Sequence, residues 1–438
     1  MGKTYRAYQP EQALLLPPDL RDWVRAEHLV WFVSDLVDTL ELTAIEAYYE
    51  AETRGQPPYH PRLMVKLLVY GYCQGVRSSR KIAQRLDEDV AFRALAAGNR
   101  PDFRTISDFR KIHLKALEGL FEQVLRLALE SGALQLGRVA LDGTKMKANA
   151  SKHKAMSWKR MLETEKRLRR EAREILAAAE QADALDDARW GDKRGDELPE
   201  ELARRKSRLA RIGEAKKALT ARARERSAEA GEPEEEARKA RPRDKDQYNF
   251  TDPESRIMKA GGGFEQSYNA QAAVEPDGQL IVGQTLTNEA NDKRQLQPLV
   301  ESVERQAGRR PTEVLADSGY CSERNLEYLE SEDEPDKAVK AWVAVAKTKR
   351  QAEPEAPPRG RPPAGLTRVE RMRRKLRTKA GKKVYARRTA IVEPVFGQIK
   401  QARGIRQFLL RGLEQARGEW ALICTTHNIL KLHRLVTA

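Results

Sequence analysis

Cysteine, aromatic residues and long apolar runs are all scarce in this chain of 438 residues. The three cysteines, Cys73, Cys321 and Cys424, lie far apart and form no C-x-x-C pair, which argues against a zinc knuckle or a disulfide framework and favours a reducing compartment, the cytoplasm. The apolar runs fall well short of the ~20 residues that a membrane-spanning helix needs. Met1–Glu11 is polar and does not look like a secretory signal. The sequence therefore predicts no membrane partner.

Positive charge, in contrast, is abundant. Lys and Arg number 81 against 65 Asp and Glu, which gives a net charge of +16 and an isoelectric point near 9.6. A field of this sign attracts anionic polymers, so nucleic acid is the partner that the composition indicates. At about 150 residues per domain, the length suggests roughly three folding units.

Up to about residue 135 the apolar residues recur at helical spacing. Pro61 is typical of a first helical position, and the helix that it begins should end near Gly75. Ser78 or Ser79 could cap a short second helix, so this pair is compatible with a helix-turn-helix or with an ordinary helical hairpin. A single long helix is predicted from about Ile106 to Leu134.

After Gly137 the pattern changes to alternating strands and helices, which predicts a mixed α/β fold around one sheet. A turn at Glu275–Gly278 predicts a β-hairpin. The other predicted elements are strands at Arg138–Asp142, Phe264–Val274, Gln279–Leu286, Glu313–Asp317 and Ala341–Ala346, helices at Lys293–Gln306, Tyr385–Gly404 and Trp420–Leu435 and from Ser322, and a basic loop at Glu353–Thr378.

A charged segment at about residues 155–245 interrupts this pattern. Apolar residues at three-to-four spacing form one seam from Trp158 to Ala179 and another from Leu198 to Ala223, which predicts an inserted antiparallel helical hairpin. Glu229–Asp246 is so polar that we expect a mobile link there.

Two of the predicted strands end on an aspartate that precedes a polar, glycine-containing turn: Asp142 in VALDGTK and Asp317 in VLADSGY. Sites in open α/β sheets lie beyond the carboxyl ends of the strands, so these two acids could be neighbours. Carboxylates that are held close together repel each other, and a divalent cation relieves the repulsion. Taken singly, Asp142 could instead belong to a hairpin turn, and Asp317 could begin a turn before the next helix.

Glu393 is a third candidate acid, on a predicted helix that also carries Tyr385, Arg388 and Lys400. Lys400 follows Glu393 by two helical turns, so the two lie on the same face. A glutamate on a helix is usually solvated. The residues on both sides of Glu393 are apolar, however, and an unpaired charge in such a setting would be costly.

The chain resembles the bacterial insertion-sequence transposases of the DDE superfamily, in the group whose third motif is Tyr-Arg-Glu-Lys. Six segments carry the resemblance in order: DGTKMKANAS, TDPESRIMK, SYNAQAAV, LTNEANDK, VLADSGY and YARRTAIVEPVFGQIK. The stretch Tyr59–Tyr72 is also similar to the start of such proteins. One departure concerns the third motif, which usually has its Arg four residues before the Glu. Thr389 holds that position here, and Arg388 lies five residues before Glu393.

The resemblance implies an RNase H-like mixed sheet with flanking helices, in which Asp142, Asp317 and Glu393 are catalytic and bind two Mg²⁺ or Mn²⁺ ions. It implies an enzyme that binds the terminal repeats of its insertion sequence, cuts DNA and transfers strands. Residues expected to position phosphates of the double-stranded DNA, at the transposon ends and the target, are Lys145, Lys147, Tyr385, Arg388, Lys400 and Arg403.

The expected organisation is an all-helical DNA-binding domain at residues 1–135 and a catalytic domain at 136–438 that the helical hairpin interrupts. A homodimer is expected when two ends are bridged, and the protein would be associated with the bacterial nucleoid. Two alternatives to an active transposase are a catalytically inactive DNA-binding repressor and a metal-dependent nuclease that cuts but never joins strands.

Overall fold

The computed structural model describes residues 19–50, 57–190, 200–330, 338–345, 357–358 and 360–437. Within the described ranges, the first part of the chain is helical, as predicted. Its helices are α1 (Leu29–Thr39), α2 (Thr43–Glu50), α3 (Pro61–Cys73), α4 (Ser79–Glu88), α5 (Val90–Leu95), α6 (Phe103–Ile112) and α7 (Leu114–Glu130).

The predicted long helix from Ile106 is wrong in one respect, because it breaks at His113 into α6 and α7. The backbone of His113 is non-helical, with φ −100° and ψ 15°. Its ring is buried and lies 3.0 Å from the hydroxyl of Tyr49. Packing of this one side chain thus accompanies a break that the apolar pattern does not show.

A mixed sheet follows, with β1 near its centre. The strands are β1 (Arg138–Lys147), β4 (Arg256–Ala260), β5 (Gly263–Val274), β6 (Ile281–Thr287), β7 (Glu313–Ala316) and β8 (Lys340–Val343), while β2 (Ala155–Ser157) pairs with β3 (Gln247–Asn249) in a separate ribbon. The order is β4-β5-β1-β7-β8, with β6 also on β5. β1 runs antiparallel to β5 and parallel to β7, and β7 is parallel to β8.

The predicted β-hairpin is present as the antiparallel pair β5 and β6. The strand predicted to end at Asp142 continues to Lys147, because β1 stays paired with β5 over those residues. Asp142 therefore lies inside a strand, and the alternative that it forms a hairpin turn is wrong. The strand predicted at Ala341–Ala346 is observed at Lys340–Val343, and residue 346 is outside the described part.

Helices cover the sheet: α11 (Leu296–Ala307), α12 (Glu323–Glu330), α13 (Arg368–Arg377), α14 (Lys379–Gly397) and α15 (Leu413–Thr437). The basic loop predicted to reach Thr378 is wrong over α13, where Thr367 and Glu370 form a reciprocal capping box and Met372 is buried. The penultimate helix begins at Lys379 and includes Pro394, and a π-helical turn follows it at Gln398–Ala402.

The inserted hairpin consists of α8 (Trp158–Trp190) and α9 (Glu200–Glu229), as predicted, while residues 191–199 between them lie outside the described part. It has a small core of its own, separate from the main one, formed by Met161, Leu168, Ile212, Ala215 and Leu219. The expectation of an unpacked link at Glu229–Asp246 is wrong for α10 (Glu234–Lys239), in which Ala237 is buried. Three glutamates in the first turn of α10 and Arg and Lys in its last turn suit the helix dipole.

The N-terminal helices and the sheet share one continuous hydrophobic core. Glu419 of α15 is fully buried and pairs at 2.7 Å with Arg77, which lies between α3 and α4. The domain boundary near residue 135 stays a prediction. Within the described residues, no helix combines the length and the apolarity needed to cross a membrane.

Candidate active site

Asp142 and Asp317 lie side by side at one edge of the parallel pair β1 and β7. The last residues in register between these strands are Leu141 and Ala316, and each aspartate is the next residue along its chain. Neighbouring strands lie about 4.8 Å apart, so the backbones of the two acids are adjacent. One carboxylate oxygen of each already accepts a backbone N–H, from Gly143 for Asp142 and from Gly319 for Asp317, both at 2.8 Å.

Arg388 on α14 compensates the charge of Asp142. Its Nη1 lies 3.2 Å from Oδ2 of Asp142, and both side chains are largely buried. Burial raises the pKa of Asp142, Arg388 opposes this rise, and repulsion by Asp317 adds to it. Burial also works against the charge on Arg388, but Asp142, Tyr385 and Asp317 together outweigh it, so that the pKa of the guanidinium is raised. Tyr385, one helical turn earlier, interacts with Arg388, and burial raises its pKa.

A layer of polar side chains from β5 lies beside the segment that follows Asp317. Asn269 and Gln271 donate hydrogen bonds to the same oxygen of Asp292, at 2.7 and 2.8 Å. Lys145 of β1 lies 3.4 Å from that oxygen. The hydroxyl of the fully buried Tyr320 donates to Gln271. The network thus links β1, β5 and the loop that carries Asp292 to the segment after Asp317.

Gly319 shows how close Asp292 comes to the pair. A Cβ added at Gly319 would lie 2.9 Å from Oδ1 of Asp317 and 3.4 Å from Oδ2 of Asp292. The two carboxylates therefore flank one glycine, and there is no space for a side chain between them. A third negative charge stands beside the pair that the sequence pattern identified.

Glu393 does not join this group in the structure. Its side chain is exposed, whereas Val392 and Val395 are buried. Five residues along an α-helix amount to a rotation of about 140°, so Glu393 faces away from the direction of Arg388. The expectation of an apolar setting for its charge is wrong. Across the described ranges, no three His, Cys, Asp or Glu side chains lie close enough together to form a metal-ligand group.

Some of the residues expected to contact phosphates lie on β1 near the acids, and others bind to neighbouring segments of the protein. Lys145 and Lys147 lie on β1 just beyond Asp142, and Lys147 is half exposed, 3.3 Å from Glu265. Lys400 donates to the hydroxyl of Thr144 and, at 2.8 Å, to the carbonyl of Lys145, so it fastens β1 to the turn after α14.

Arg403 faces the protein interior. Its guanidinium donates to the hydroxyl of Thr426 at 2.8 Å and to the carbonyl of Ile423 at 3.1 Å. Burial lowers its pKa to about 10. These bonds join the turn after α14 to α15, and they leave the guanidinium turned away from solvent.

Two family models match the chain. One, described as a transposase domain (DUF772), matches residues 18–112, and the other, described as a transposase DDE domain, matches residues 234–429. This chain belongs to the insertion-sequence DDE transposases. Comparison with curated proteins and with solved structures found no match.

The matched DDE region of the transposase contains Asp317 and Glu393 but not Asp142. Asp142 precedes the inserted hairpin, and pairing of β1 with β5 and β7 returns it to the sheet formed by the matched region. The insertion therefore separates the two acids along the chain without separating them in space.

Sequence reasoning assigned no role to Asp292, Asn269 or Gln271. A signal existed in SYNAQAAV, since Asn269 and Gln271 are polar residues at alternate positions among the apolar residues of a buried strand. Buried amides must find hydrogen-bond partners. The partner is Asp292 in LTNEANDK, a segment that the family resemblance included without a stated function.

Proposed function

We propose that this transposase binds the terminal repeats of its insertion sequence, cuts the DNA strands there and transfers them to a target, with Asp142 and Asp317 at the reacting centre. The observation that carries the proposal is the adjacency of these two carboxylates, one after each of two paired parallel strands, beside Arg388. Their setting at the carboxyl edge of a sheet is typical of α/β sites.

An RNase H-like catalytic core is part of this proposal. The central position of β1, with antiparallel β5 and β6 on one side and parallel β7 and β8 on the other, supports it. The proposed division into an N-terminal DNA-binding region and a catalytic region agrees with the two separate family matches. A helix-turn-helix formed by α3 and α4 also belongs to the proposal.

Members of this family normally use divalent metal ions, and the donor set of the chain fits such an ion. Asp142 and Asp317 offer hard carboxylate oxygens. Burial, and to a smaller extent repulsion by Asp317, raise the pKa of Asp142, and a bound cation would stabilise its charged form. Two Mg²⁺ or Mn²⁺ ions bound there would activate the attacking water or 3′-hydroxyl and stabilise the leaving oxygen. Glu393 is the proposed third ligand on the resemblance alone, and its exposed position requires a rearrangement of α14.

The remaining residues of the site hold and orient the substrate. Lys145 and Lys147 extend from the acids along β1, where their charges would meet the phosphates of bound DNA. Tyr385 and Arg388 would approach the scissile phosphate from α14. Lys400 and Arg403 would act indirectly in this arrangement, because both fasten the segments around β1 and α15. Bridging two transposon ends would call for a homodimer.

The test is cleavage of DNA carrying the element's own end sequence, with and without Mg²⁺ or Mn²⁺. Wild type should nick or join strands only with metal. Asp142→Asn and Asp317→Asn should bind the same DNA and lose activity by about 10²–10³-fold, which is the scale of removing one group that stabilises a transition state. Asp277→Asn is the matched control, since Asp277 is exposed in the turn after β5.

Equal cleavage by wild type and by both site variants would contradict the assignment of the acids. A wild type that binds its ends and cuts with neither metal would instead favour the repressor. Cutting without any joined product would favour the nuclease.

A further inference from the structure

An open cleft of about 750 Å³ lies at the base of the inserted hairpin, between α9, the start of α8 and the segments around β2 and β3. We call it the hairpin cleft. Its lining residues are His153, Lys154, Ala155, Met156, Arg160, Ala203, Arg204, Ser207, Arg208, Arg211, Ile212, Phe250 and Thr251.

The charges of the hairpin cleft are of one sign. Five of its lining residues are Lys or Arg, one is His and none is Asp or Glu. Arg204, Arg208 and Arg211 follow one another at helical spacings of four and three, so they lie on the same face of α9. All three are exposed. Like charges at this spacing repel and cost a helix about 0.2–0.5 kcal/mol per pair.

Elsewhere the same hairpin balances its cations. Arg169 pairs with Glu165 at 2.7 Å, and Lys216 reaches Glu165 from α9 at 2.6 Å. Arg205, next to Arg204, points to Glu171 of α8 at 3.1 Å. Arg208 and Arg211, in contrast, pair with no carboxylate among the described residues, so the positive charge of the hairpin cleft does not simply repeat the composition of the segment.

The floor of the hairpin cleft is packed, so the backbone that carries its cations is fixed. Ile212 is buried in the small hairpin core, and Met156 and Phe250 pack against that core. The backbone N–H of Phe250 donates to the carbonyl of Lys154 at 3.1 Å, which joins the two segments that border the cleft. A row of cations on a fixed surface suits the evenly spaced phosphates of a nucleic-acid backbone.

The chain also limits how far the hairpin cleft lies from the acids. His153 follows Asp142 by eleven residues, which span at most about 36 Å when fully extended. With a rise of about 3.4 Å per base pair, this corresponds to about ten base pairs of duplex. One DNA segment held at Asp142 is therefore long enough to reach the hairpin cleft.

We propose that the hairpin cleft binds the phosphate backbone of duplex DNA within about ten base pairs of the strand-cutting site. The inserted hairpin is then a second DNA-binding surface. It is distinct from the N-terminal helices and from the edge of the sheet that carries Asp142 and Asp317, which we call the acid-bearing edge. This inference rests on the proposed function, which supplies the DNA.

The test compares wild type with the double variant Arg208→Ala/Arg211→Ala on two duplexes, one extending about 20 base pairs and the other about 5 on both sides of the cleavage site. On the long duplex the salt dependence of binding should weaken by about two phosphate contacts, because each contact contributes about 0.9 to the slope of log K against log salt. A loss on the long duplex alone would place the contact beyond about five base pairs from the cleavage site, and a loss on both would place it closer; either result supports the proposal.

The matched control is Arg170→Ala/Arg224→Ala, which removes two exposed cations of the same hairpin outside the cleft. It should leave the salt dependence unchanged. An unchanged slope for the cleft variant on the long duplex would overturn the proposal. Absence of cleavage by wild type would instead count against the proposed function, since the binding slopes do not depend on cutting.

Discussion

The acid-bearing edge of the sheet and the hairpin cleft place opposite charges in opposite settings. Asp142 is largely buried, pairs with Arg388 and follows Leu141 of the main core. Arg208 and Arg211 are exposed on a hairpin that has a separate small core. In the first region each group has fixed partners, whereas in the second several similar groups share one open surface.

This difference predicts different responses to substitution. Loss of one member of a buried polar network leaves its partners without compensation, so the effect should be large and specific. Loss of one of several exposed cations removes only a share of a summed field, so the effect should be graded and sensitive to salt. The difference between the two regions can be tested on the stability of their cores, on the positioning of the acids and on the binding of a metal ion by the acids.

The largest effect is expected for a substitution in the main core, which can be compared with one in the hairpin core. Glu419→Ala removes the fully buried partner of Arg77 and the acceptor of the backbone N–H groups of Leu409 and Leu410, at 2.8 and 3.0 Å. We expect it to lower the free energy of unfolding of the N-terminal helices and the sheet, which share the main core, by about 3–5 kcal/mol, because it leaves a buried charge unpaired. Chemical denaturation followed by tryptophan fluorescence measures this change.

Ile212→Ala is the counterpart in the hairpin. It should cost about 2–5 kcal/mol of local stability and show as faster hydrogen exchange in α8 and α9. The hydrogen-exchange rates of the sheet and the N-terminal helices should stay as in wild type. If Ile212→Ala lowered protection in the sheet as much as in the hairpin, the two cores would be one cooperative unit and the comparison would fail.

Asp292→Ala tests the network at the acid-bearing edge. Asn269, Gln271 and Lys145 would lose their common acceptor, so β1 and the loop beside Asp317 would shift. A displacement of about 1 Å at a reacting centre can cost about 10²-fold in rate. We expect cleavage to fall by about that factor at saturating DNA, with little change in DNA affinity.

Asp292→Asn is the conservative variant, since it keeps one acceptor oxygen and should recover part of the rate. The exposed Asp277→Asn again serves as the control. A loss of DNA affinity that accounts for the whole effect of Asp292→Ala would assign Asp292 to binding and contradict the positioning role.

Local patterns predicted those parts of the fold that depend on neighbours in sequence. The β-hairpin of β5 and β6 and the pair of helices in the insertion follow from turn residues and apolar spacing. Asp142 and Asp317 could be placed together because both follow short apolar strands. The extension of β1 to Lys147 could not, since it depends on pairing with β5.

The remaining differences also have tertiary causes. The composition around Thr367 is typical of a loop, and only its reciprocal bond with Glu370 marks a helix start. Arg403 and Glu393 carry charges that a sequence reader assigns by residue type. Hydrogen bonds to α15 turn Arg403 inward, whereas α14 packs against the sheet through Val392 and Val395 and leaves Glu393 exposed. Tertiary contacts decided the direction of both side chains.

The most direct measurement of the central claim is the binding of Mn²⁺ to the protein with its end DNA, titrated by electron paramagnetic resonance. We predict that wild type binds the ion, that Asp142→Asn and Asp317→Asn each weaken its binding by at least about tenfold, and that Asp277→Asn does not. Unchanged Mn²⁺ affinity in both site variants would contradict the account, because the two neighbouring carboxylates would then hold no metal.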